Sequence, residues 1–171
     1  MESGHINRDG LLALYTYNVY ANRLVLETAA ALSEEALARA ASPSHTSVRN
    51  LLLHMLGAEA GFLERCQGRE LEIPDLPTVE LLHSFWDDLA IDRQSYIASL
   101  DEPDLAREVR VELLHRNFRF PVWQLLLQAL IHSTHHRGEL SIVLTELGHP
   151  LPTLDAIIHF ANQSGQAWPL E

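Results

Sequence analysis

Residues 121–148, PVWQLLLQALIHSTHHRGELSIVLTELG, decide how the rest of the chain is read. Val122, Leu125, Ala129, His132, His136, Leu140, Val143 and Leu147 follow one another at three- and four-residue steps. That spacing stacks their side chains on one face of an α-helix. Pro121 suits a helix's first turn, where its missing N–H would have had no intrahelical partner. Gly148 fits the left-handed residue just past a helix end, and Pro150 cannot continue the helix. A helix over 121–147 is therefore predicted, with an inward stripe that is apolar except at two histidines.

The same periodicity recurs on both sides. Leu12, Tyr15, Val19, Asn22, Leu26 and Ala29 predict a helix over 7–32, with Asn22 as a polar intruder. Ser33 and the two glutamates after it can start a further turn, and 41–46 reads as a loop. Val48, Leu51, Met55, Ala58 and Phe62 give a second helix over 47–67, with Thr46 or Ser47 as cap and Gly68 as stop. Residues 72–77 form a proline-marked linker. Thr78 then caps a third helix carrying Val79, Leu82, Trp86, Leu89, Tyr96 and Leu100, which ends before Asp101.

Between 105 and 120 the period changes to two. Val109, Val111 and Leu113 alternate with Arg110 and Glu112, and Phe118 and Phe120 flank Arg119. Two short strands turning near 115–117 are expected. A short last helix should start at Thr153 and cover 154–162. The whole, 1–171, reads as one all-α domain, a four-helix bundle. The β-hairpin between the third and fourth helices should cross the bundle's end.

Composition narrows the partners. Asp and Glu number 23 against 12 Lys and Arg, a formal net charge of −11. A surface this negative repels phosphate backbones and anionic lipid, so neither nucleic acid nor a membrane is an expected partner. The longest apolar runs fall well short of the roughly 18 residues that span a bilayer. The N-terminus lacks the basic-then-apolar pattern of a secretory signal. Cys66 is the one cysteine, which suits a reducing compartment and makes the cytoplasm the expected location.

The chain has 10 histidines, and the question is whether any converge. His132 and His136 stand one helical turn apart, which brings their Cβ atoms to about 5–6 Å on one face. Both interrupt an apolar stripe, and an unpartnered inward imidazole costs on the order of 1 kcal/mol or more. Alone, such a pair is more often incidental than metal-binding. His54, mid-way along the second helix, is placed to reach an ion held between facing helices, where bundles build such sites. Three histidine ligands match an open site, since structural zinc is closed by four protein ligands.

Other residues read more plainly. Glu139 is three residues after His136 and can orient it, although a solvent-facing role fits equally. Glu59, Asn22 and Tyr15 are expected to pack in the core or at its rim, and His135 to lie on the surface. Cys66 has no histidine at helical spacing and Arg69 falls beyond the helix stop, so a nucleophile there is not expected. No Gly-rich phosphate loop, Gly-x-Ser-x-Gly, Cys-x-x-Cys or His-Glu-x-x-His occurs. Glu-x-x-His appears at Glu80–His83 and Glu112–His115, in an opening helical turn and in the expected hairpin, and is read as chance.

With these stretches in view, the sequence resembles the DinB/YfiT-like family. The likeness runs through 17–26, YNVYANRLVL, and 47–59, SVRNLLLHMLGAE, to 147–155, LGHPLPTLD. Its most specific piece is 132–139, HSTHHRGE, which looks like the family's His-x-x-x-His-Arg-Gly-Gln with Glu139 at the last place. The resemblance implies a four-helix bundle with one divalent transition metal (nickel, zinc or iron) on His54, His132 and His136, often in a homodimer. Relatives include transferases that use low-molecular-weight thiols and a thiol-dependent maleylpyruvate isomerase. A transferase joining such a thiol to a small electrophilic substrate is the leading expectation. A metal-dependent hydrolase, or a protein that binds metal or a small ligand without catalysis, are the alternatives. No catalytic residue beyond the ligand set is assigned.

Overall fold

Three of the four long helices start at a side chain that accepts a free backbone N–H, as helix ends require. Asn7 takes the Gly10 N–H at 2.8 Å and opens α1 (Arg8–Ala30). Ser47 takes that of Asn50 at 3.2 Å for α3 (Val48–Gln67), and Thr78 that of Leu81 at 3.3 Å for α4 (Val79–Ser99). The fourth, α6 (Val122–Glu146), follows Pro121 without a side-chain cap, and its Val122 N–H donates to the Arg107 carbonyl at 3.0 Å. It closes on Gly148, which adopts φ 84° while the His149 N–H reaches back to the Leu144 carbonyl at 2.8 Å. These features come from a computed structural model that describes residues 5–39, 44, 47–70 and 72–166. The loop expected over 41–46 falls, apart from Ser44, outside the described residues.

The short elements match the expectations less evenly. α2 (Glu34–Ala38) forms on its Ser33 cap, as expected. α5 (Glu102–Ala106) was not anticipated: Asp101 and Asp104 cap each other's backbone, Pro103 sits in the first turn and Leu105 is fully buried. Five residues are too few to carry a periodic signal. α7 (Ala156–Gln163) is the short C-terminal helix, begun two residues later than read.

The hairpin pairs β1 (Glu108–Leu113) antiparallel with β2 (Arg116–Pro121), Val109 opposite Phe120 and Val111 opposite Phe118. Its turn falls on Leu114 and His115, slightly earlier than expected, with φ of 50° and 60°. A two-residue hairpin turn wants the left-handed region at both central positions, which Asn-Gly adopts readily and a leucine does not. Replacing Leu114-His115 by Asn-Gly should therefore raise the unfolding free energy by about 1 kcal/mol in a urea titration.

α1 packs on α4 and α6, and α3 packs on the same two helices from the other side. The four long helices thus form a closed ring, α1–α4–α3–α6. Because α1 faces two neighbours, its buried face takes in Leu11, Asn18, Ala21 and Val25, while Leu12 and Val19 are only half-buried. For the same reason α3 buries Leu52, Leu56 and Leu63, leaving Ala58 and Phe62 half-exposed.

The core divides in two. One apolar cluster holds Val25, Leu26, Leu51, Met55, Trp86, Leu140 and Leu144. The other, at the hairpin end, holds Leu11, Tyr15, Cys66, Ile97, Val111, Leu125 and Leu126. Between them the bundle buries Asn18, Asn22, Glu59, Arg93, Ser133 and Arg137. Each long helix gives at least one member to this polar layer. Among the described residues no helix is long and apolar enough to cross a membrane.

Candidate metal centre

α3 and α6 run antiparallel: Cys66 lies near the Val122 carbonyl at the hairpin end, and His54 meets His132 farther along. The register brings three imidazoles together. His54 Nε2 stands 3.0 Å from His132 Nε2, and one ring nitrogen from each of His54, His132 and His136 falls within 4.8 Å of the others. The ring centroids lie 4.5–4.8 Å apart. An ion about 2.0–2.1 Å from each nitrogen would separate tetrahedral ligands by roughly 3.3 Å; the His54–His132 pair stands near that spacing, and the three donors together could hold one divalent ion. His136 is buried, whereas His54 and His132 are half-buried, so the cluster faces outward on one side.

His136 has a carboxylate behind it. Its Nδ1 meets Glu139 Oε2 at 3.2 Å, and both oxygens of Glu139 accept from the Ser44 hydroxyl at 2.7 Å. With Nδ1–H directed at Glu139, the lone pair of the neutral ring resides on Nε2. This is how a carboxylate fixes the tautomer and raises the basicity of a metal-ligating histidine. Of the two positions weighed for Glu139, the one against His136 is observed. Glu139→Ala should weaken zinc binding by about 10–100-fold, measured by competition with a chelating dye. His135 is exposed, as expected, with its ring 4.9 Å from that of His136.

The polar layer lies directly behind the cluster, because Ser133 and Arg137 each follow a clustered histidine on α6. Glu59 is its centre. Its Oε1 accepts from Asn18 and Asn22 at 2.9 Å and from Ser133 at 2.6 Å. Its Oε2 accepts from Trp86 Nε1 at 3.1 Å and pairs with Arg93. Burial by itself would raise the pKa of this carboxyl. The Arg93 guanidinium and then the hydrogen bonds from Ser133, Asn18 and Asn22 outweigh it and hold the pKa at about 2. Arg137 donates to the side-chain oxygens of Asn18 and Asn22 at 2.6 Å each, tying α6 to α1.

Sequence reasoning placed Glu59, Asn22 and Tyr15 in the core or at its rim, and all three are buried. Tyr15 donates to the Leu126 carbonyl at 2.6 Å under the Arg93 guanidinium. Arg93, Ser133 and Arg137 went unremarked as buried polar residues. The gap between Leu89 and Tyr96 in the α4 stripe was a signal for the first, since Arg93 fills that position at four-then-three spacing. Cys66 is fully buried and its thiol is pushed up to about 12 by that burial, so it is no nucleophile. Neither Glu-x-x-His forms a site: Glu80, Glu112 and His115 are exposed.

The sequence matches the model of the DinB family over residues 6–166. The chain belongs to the DinB family. A crystallised DinB-like protein from Bacillus subtilis superposes with a TM-score of 0.62 at 19% identity, over 83% of this chain and 97% of the other. At that identity the likeness speaks for the DinB fold alone. No curated protein matches the chain at a significant level.

Proposed function

We propose that this DinB-family chain is a metal-dependent transferase that joins a low-molecular-weight thiol to a small electrophile. His54, His132 and His136 are its ligands for one divalent ion. The observation that carries the reading is three imidazoles from two helices within 4.8 Å, on a side of the bundle that is not sealed. A three-histidine donor set leaves positions for substrate, unlike a four-ligand structural site. The ion would supply Lewis acidity, making a thiol deprotonate near neutral pH.

The chain's own contribution is positional. Glu139 holds His136 in one tautomer, and the buried layer of Glu59, Arg93 and Arg137 fixes the rotation of α6 that aims His132 and His136. Glu59 is fully paired and buried, which removes it as a general base, and Cys66 is inert. The sulfur nucleophile therefore comes from the thiol substrate. In the net reaction its S–H proton is released, sulfur forms the new bond to carbon, and the leaving group departs with the old bonding pair and takes up a proton. A reducing cytoplasm suits this chemistry. Ile131 and Ile142, exposed three turns apart on the outer face of α6, favour a homodimer.

The test uses protein made without a histidine tag, stripped with EDTA and reloaded with nickel, zinc or iron(II). Consumption of cysteine, glutathione or coenzyme A with 1-chloro-2,4-dinitrobenzene should require the ion and vanish in His132→Ala. Turnover indifferent to both would overturn the proposal, and metal-dependent ester cleavage without thiol consumption would replace it with hydrolysis.

A further inference from the structure

The groove between α3 and α6 does not end at the histidines. Toward the hairpin it opens into a cavity of about 460 Å³ lined by Phe62, Val111, Phe120, Gln124, Leu125 and Gln128. The antiparallel register fixes its distance from the cluster. Gln128 precedes His132 by one helical turn and Phe62 follows His54 by two. At 1.5 Å per residue the cavity begins about 6 Å from the imidazoles and extends to about 12 Å. Between the two, α3 presents Gly57, Ala58 and Gly61, all half-buried. A side chain added at Gly57 would meet nothing within 4 Å, whereas one at Gly61 would meet the Arg65 guanidinium, which lies over that turn and donates to the Gly61 carbonyl.

The lining has a definite chemistry. Phe62, Val111, Phe120 and Leu125 provide an apolar floor, with Val111 and Leu125 buried. Gln124 and Gln128 are exposed and stand at the rim with amide donors and acceptors. No residue of the lining carries a charge, and the nearby Arg65 guanidinium is engaged by the Gly61 carbonyl, so the lining offers an anionic guest no partner of its own. The volume lies within the range of small-molecule sites, which pair an apolar wall with a few polar groups. Two phenylalanines favour a flat guest that can meet their rings edge-on or offset.

We infer that this cavity binds the non-reacting body of an uncharged aromatic electrophile, held by Gln124 and Gln128 so that its reacting end points along the groove to the histidines. The assignment of an electrophile rests on the proposed transferase reading; the binding of a neutral aromatic does not. The cavity and the imidazoles thus lie one to two helical turns apart along the same pair of helices.

The experiment titrates the full chain, EDTA-stripped and zinc-loaded, with p-nitrotoluene and with p-nitrobenzoate by ligand-observed NMR. Saturable binding of p-nitrotoluene is expected in both forms, at least tenfold tighter than p-nitrobenzoate. Gln128→Trp fills the cavity from an exposed position and should weaken p-nitrotoluene at least tenfold. Gln124→Trp, a turn away, provides a second plug should the first disturb folding. His54→Ala should leave the affinity within twofold. Equal binding of the two probes, or affinity unmoved by both tryptophans, overturns the inference. An intact pocket in a chain whose melting ignores zinc would instead sink the metal reading and leave the pocket standing.

Discussion

Glu59→Gln is expected to lower the unfolding free energy by about 3–5 kcal/mol, the range for breaking a buried ion pair from one side. The substitution keeps shape and volume, so packing loss cannot supply that figure. The reason is the pattern of donors. All five partners of Glu59 (Asn18, Asn22, Ser133, Trp86 and Arg93) present N–H or O–H groups to its two oxygens. A glutamine offers one oxygen, and its amide nitrogen would face donors it cannot accept from. It also leaves Arg93 and Arg137 buried with no carboxylate in the layer, and Arg93 is only 2% exposed. Removing both charges together in Glu59→Gln/Arg93→Met should recover part of the loss, since an uncharged replacement of a buried pair is often near neutral. Urea denaturation reads both, and a loss below about 1 kcal/mol for the single change would contradict the account.

Acid should have the related effect. The folded-state pKa of Glu59, at about 2, lies below its ordinary value of 4.5, so the folded chain resists protonation there. That contribution is complete above the ordinary value and is lost as pH falls through 4.5 toward 2. Stability measured across this window should decline in the wild type. The part of the decline due to Glu59 should be missing in Glu59→Gln.

The four long helices were legible because each carries a three-and-four stripe over about four turns or more, bounded by Ser47, Thr78, Gly68 or Gly148. The hairpin was legible from Val109 and Val111 alternating with charges. What escaped were features where local and global signals diverge. Arg93 sits at an apolar position of α4 only because Glu59 waits opposite on α3, and that pairing is a matter of register between helices 34 residues apart in sequence. α5 depends on an Asp–Asp capping pair too short for periodicity to register. The α1 stripe was right at Tyr15, Asn22, Leu26 and Ala29 but too narrow, because its two neighbours, α4 and α6, widen the buried face to Leu11, Asn18, Ala21 and Val25. Spacing brought out the His132–His136 pair. That His54 meets it depends on the α3–α6 register, for which spacing within one helix holds no information.

His54→Ala separates a metal centre from a histidine-lined core by what it does with and without the ion. A site built for an ion holds its rings together for binding, so removing one half-buried imidazole should change metal-free stability by no more than about 1 kcal/mol. Zinc at a hundred times its dissociation constant should stabilise the wild type by about 2.7 kcal/mol. For a chain of this length that corresponds to a rise of roughly 5–10 °C in melting temperature. With one of three ligands gone, the shift should all but vanish at the same zinc concentration, and His132→Ala should behave alike. Glu139→Ala should fall between, because it loosens His136 without removing a donor. If the histidines served packing alone, the order would reverse: His54→Ala would destabilise the metal-free chain, and zinc would move neither protein. The graded series His54, Glu139 and wild type therefore tests convergence at His54 and orientation through Glu139 in one set of melting curves.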